Sequence, residues 1–104
     1  MRFGRRHRFE DLVERQLVLF LDENAGLVRA VEEALVAYNR APSDEAEVRY
    51  EKFLDLAEAG RDALAEIRDT YRRTLDPEET AAYEAEFNRA VRRRLPRFGL
   101  EIDY

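Results

Sequence analysis

The 104 residues run without a break in composition, which makes the chain one domain sharing one core. Apolar residues at 45% and charged residues at 39% suit a helical bundle, in which narrow oily seams alternate with broad wet faces, and they argue against disorder. Cysteine is absent, so disulfides, thiolate metal sites and thiol nucleophiles are excluded, and the expected compartment is the reducing cytoplasm.

The net charge of −5 is unevenly placed. Residues 1–9 carry four arginines and no acid, the middle of the chain is strongly acidic, and residues 91–104 again lean basic. An acidic body with basic ends is a statement about partners rather than about fold.

Residues 1–8 read as a basic arm, Arg2, Arg5, Arg6 and Arg8 interleaved with Phe3 and Phe9. Arginines ahead of a helix N-terminus oppose its dipole, so helix stability does not explain them. Arginine among aromatics grips phosphates and stacks on bases, which makes a nucleic-acid accessory role the rival reading; four charges on an acidic domain are few for it. The apolar run that follows, Leu17 to Leu21, is too short for a signal-peptide core or a membrane span.

The first helix is expected over residues 9–39. Its seam of Leu17, Leu21, Asn24, Val28, Val31, Leu35 and Tyr38 alternates steps of four and three, as in a coiled coil. The phase passes unchanged through Asn24-Ala25-Gly26, which favours one continuous helix, bent there, over two shorter ones. Proline at 42 ends it, and Ser43 is the expected cap of a second helix over residues 44–75. Here Tyr50, Phe53, Ala57, Gly60, Leu64, Ile67 and Tyr71 repeat the seam.

Doubling the chain back at Pro42 pairs Val31 with Phe53, Val28 with Ala57, Leu21 with Leu64 and Leu17 with Ile67, each helix being roughly 45 Å long. Asn24 then falls opposite Gly60, a polar layer expected to fix the register. Asp76-Pro77-Glu78-Glu79 has the order of a helix start and opens a third helix over residues 77–95, with Tyr83, Phe87, Ala90, Val91 and Leu95 inward. The tail, residues 96–104, alternates Phe98, Leu100, Ile102 and Tyr104 and reads as extended.

The expected fold is therefore all-α: a long antiparallel hairpin plus a shorter third helix, a three-helix bundle. The third helix should cover Val13, Phe20 and the Leu17–Leu21 ring, leaving the half near Pro42 open to either the tail or a second subunit that completes a four-helix bundle; the second subunit is preferred. Leu12, Leu19, Leu27, Ala34 and the Tyr38/Tyr50 end are the residues expected in contacts beyond the hairpin.

The chemical inventory is short. One histidine, one serine and four scattered glycines assemble neither a nucleophile with its base nor a phosphate cradle, and no Glu-x-x-His pair supports a di-iron centre. No catalytic, metal or cofactor site is expected, and no enzyme. Asp44, Glu47, Glu51, Asp55, Glu58, Asp62, Glu66 and Asp69 recur every three or four residues along one helix face, opposite the seam. Such a stripe is a solvated face first, and otherwise a docking strip for a basic protein partner. The expectation is a small cytoplasmic bundle acting by protein–protein association, as a homodimer.

Overall fold

A computed structural model describes residues 8–99, and every regular element among them is helical. Four α-helices follow in order: α1 (Glu10–Glu23), α2 (Ala25–Asn39), α3 (Ser43–Arg72) and α4 (Pro77–Arg94), with a 3₁₀ turn at Pro96–Phe98. The molecule measures 56 × 25 × 22 Å, its long axis set by the 30 residues of α3.

The expected single helix over residues 9–39 is two helices. Asn24 leaves helical geometry at φ −123° and ψ 30°. Its N–H still reaches the Phe20 carbonyl at 2.9 Å and its own carbonyl accepts from Val28 at 3.0 Å, so the chain changes direction without a loop. A local feature accompanies it: the Asn24 Nδ2 donates to the same Phe20 carbonyl at 3.0 Å, so one acceptor serves a backbone and a side-chain donor where the helix is interrupted.

The change of direction redistributes the partners. Beyond Asn24, α2 packs along the first half of α3 as an antiparallel hairpin; before it, α1 packs against α4. The matched edges therefore zip together only in the half nearest Pro42. The expected pairs Leu21–Leu64 and Leu17–Ile67 do not form a seam, and Leu21 is 37% exposed. The Asn24–Gly60 layer is also absent, because Asn24 turns its amide on its own helix and Gly60 receives a different neighbour, the Phe98 ring. A β-carbon on Gly60 would collide with that ring.

The core sits where α4 meets α1 and α3, with α2 contributing Val31. Val13, Phe20, Val31, Leu64, Tyr83, Phe87 and Val91 are its fully buried large side chains. Rings continue through it, Phe9 to Tyr83 at 5.5 Å, Tyr83 to Tyr71 at 4.9 Å and Phe20 to Phe98 at 5.9 Å between centroids. Polar links fasten α4 to α3 at its edge: Arg68 donates to Asn88 at 3.0 Å and Arg72 to Glu84 at 2.6 Å. No buried side-chain nitrogen or oxygen among the described residues lacks a hydrogen-bond partner.

The helix ends differ from the expectation at α3 and agree in position at α4. Pro42, not Ser43, occupies the N-cap of α3, and Ser43 begins the helix without a capping bond. Asp76 does stand at the N-cap of α4 with Pro77 after it, yet its carboxylate caps nothing; its carbonyl accepts from the Thr80 hydroxyl at 3.1 Å. Arg92, Arg93 and Arg94 end α4, where the helix dipole favours cations. The tail does not start as an extended segment, because Pro96–Phe98 winds into a 3₁₀ turn that delivers Phe98 to Gly60. The rest of that expectation, Leu100, Ile102 and Tyr104, lies outside the described residues.

Candidate functional site

Because α1 turns away from α3, a groove opens between them. Its volume is about 590 Å³, and its walls are mostly apolar: Leu19 from α1, with Ala63, Ile67 and Tyr71 from α3. Glu23 and Glu66 stand at its edges with Gln16, Asn24, Thr70 and Thr74, so the only charges lining it are negative. On α3, Arg68 and Arg72 point to α4 while Glu66 and Thr70 line the groove, which therefore opens on the side away from α4.

Leu19 is 54% exposed at the lip of this groove. Val18, beside it on α1, is also exposed, so α4 covers Val13, Leu17 and Phe20 as expected but not the whole Leu17–Leu21 ring. The open apolar surface is thus at both ends. Near Pro42, Val36, Val48, Tyr50 and Leu54 are exposed on a part of the hairpin that α4 does not reach.

The other residues expected in outside contacts divide. Leu12 and Leu27 are half-buried against the core, and Ala34 is buried within the chain, hence not available to a partner. Tyr38 and Tyr50 pack on one another at 5.0 Å between centroids and hold the hairpin end together, with Tyr50 still 43% exposed.

The acidic stripe is a wet face. Asp44, Glu47, Glu51, Asp55, Glu58, Asp62 and Glu66 are all exposed, and none forms an ion pair with another described residue; Asp69 is half-buried and accepts from Arg68 at 3.0 Å. Of the basic arm, Arg8 forms an ion pair with Glu79 at the start of α4 and lies over the Phe9 ring. Arg2, Arg5 and Arg6 lie outside the described residues.

Little else has the makings of chemistry. The Tyr83 hydroxyl is buried and donates to Gln16 at 2.9 Å. Burial, which penalises the phenolate, pushes its pKa up to about 12, further from any acid–base role near neutral pH. Glu84 holds the Arg72 guanidinium above its ordinary range by hydrogen bond and charge, which is an ion pair's work. No three histidine or acidic side chains among the described residues gather closely enough to hold a metal ion, and no helix among them is long and apolar enough to cross a membrane.

The groove is the feature that reading the sequence missed. Its ingredients were visible as surplus apolar positions on the first helix, but its existence depends on the direction taken at Asn24. Compared with protein-family models, with curated proteins and with solved structures, the chain matches none of them.

Proposed function

We propose that the chain acts through protein–protein association, as a homodimer in the cytoplasm and without enzymatic activity of its own. The observation that carries this reading is the groove between α1 and α3, an apolar cleft with a half-exposed leucine at its lip on the face left bare by α4. Exposed apolar clefts with polar edges are surfaces that partners cover. A further helix laid there completes a four-helix arrangement, the packing in which every helix of a bundle buries its oily side.

Sedimentation equilibrium tests the reading. The expected result is a species of twice the chain mass that dissociates on dilution; a monomer across the whole concentration range overturns it.

A further inference from the structure

We infer that the occupant of the groove is a second copy of this chain, related by a two-fold axis through Ala59 so that the two α3 helices run antiparallel. The inference rests on the association reading above and names the surface. It comes from a column of residues spaced by seven along α3: Glu45, Lys52, Ala59, Glu66 and Arg73. Heptad spacing keeps a column on nearly one side of a helix, drifting only about 20° per step. All five residues are exposed, and Arg73, although past the end of α3, keeps near-helical angles of φ −65° and ψ −15°.

The signs along this column run negative, positive, neutral, negative, positive. Turned end for end about Ala59, it is its own complement, for Glu45 meets Arg73 and Lys52 meets Glu66, each pair occurring twice. Turned parallel, every charge meets its like. A column that is self-complementary in only one orientation is what an isologous two-fold interface requires. At the axis stands a methyl group, which lets two helices approach closely. Within the chain Glu45 already accepts from Arg49 at 3.2 Å, while Lys52, Glu66 and Arg73 make no ion pair with another described residue.

The groove agrees with this axis. Val48, 69% exposed, lies eleven residues before Ala59 and Thr70 eleven after it, so the arrangement sets each Val48 over the partner's groove, where Thr70 lies beside Ile67 and Tyr71. Lys52 then approaches Glu66 at the groove's acidic edge. Leu19, 54% exposed, lines the same cleft from α1 and gains cover from the partner. Asp55 and Asp62 face one another across the axis on its solvent side, a like-charge contact that subtracts from the gain.

Charge exchange and cross-linking test the surface. Lys52→Glu or Glu66→Lys sets like charges together at two symmetric places and is expected to weaken dimerisation about tenfold. The double variant restores the wild-type constant. In this cysteine-free chain, Ala59→Cys brings two thiols together at the axis and gives a covalent dimer under mild oxidation, whereas Glu47→Cys, well round α3, does not. A chain that sediments only as a monomer removes the association reading itself. A dimer that neither single exchange weakens, that the double exchange fails to restore, or that Ala59→Cys does not link keeps association and overturns this surface.

Discussion

The two halves of the molecule solve the same problem with different means. Near Pro42, α2 and α3 form a plain two-helix hairpin, closed at its end by the Tyr38 and Tyr50 rings, with Val36, Val48 and Leu54 left in water. At the other end α4 enters between α1 and α3 and builds a core of fully buried side chains. Two helices bury one stripe each, whereas three enclose a volume; the difference between a seam and a core lies in that third element. Stability is therefore expected to reside in the α4 half.

The sharpest way to break that contrast is to empty the core. Phe87→Ala removes a fully buried ring from α4 and is expected to cost about 3–5 kcal/mol in chemical denaturation. A loss below about 1 kcal/mol would mean that α4 does not organise the fold.

Alkaline titration comes next. The Tyr83 pKa rises from 10.0 to about 12 on folding, so the neutral phenol is the form the fold accepts. The contribution is whole below pH 10 and is lost between pH 10 and about 12, as the unfolded chain ionises first, amounting to about 2–3 kcal/mol. Denaturation midpoints measured across that window should fall more in the wild type than in Tyr83→Phe. Equal slopes would show Tyr83 ionising freely in the folded state.

The smallest effect is expected at the hairpin end. Tyr50→Ala removes a ring that packs on Tyr38 but stays 43% exposed, and it should cost about 1 kcal/mol. A cost equal to that of Phe87→Ala would erase the distinction between the halves.

Much of this architecture was legible from periodicity. The proline turns, the helical spans from Ser43 onward and the inward face of α4, with Tyr83, Phe87, Ala90 and Val91, follow from spacing and punctuation alone. What spacing does not encode is direction. The phase of apolar positions runs straight through Asn24, yet the axis does not, and the side-chain amide that shares one carbonyl there leaves the pattern unchanged. Everything downstream of that choice, including the loss of the Leu17–Ile67 seam and the groove itself, was hidden for the same reason. Gly60 illustrates it at the scale of one residue: the missing side chain signalled a close approach, but the partner was a ring from far along the chain rather than the residue opposite in the hairpin.

The lodging of Phe98 against Gly60 has a bearing on how the polypeptide matures on the ribosome. The hairpin of α2 and α3 can close while synthesis continues, since its partners are neighbours in sequence. The oily side of α1 cannot, because its cover, α4, follows α3 in the chain and is latched only when the aromatic plug reaches its notch. Nascent chains halted before that residue should carry an α1 whose oily side is still bare and recruit chaperones.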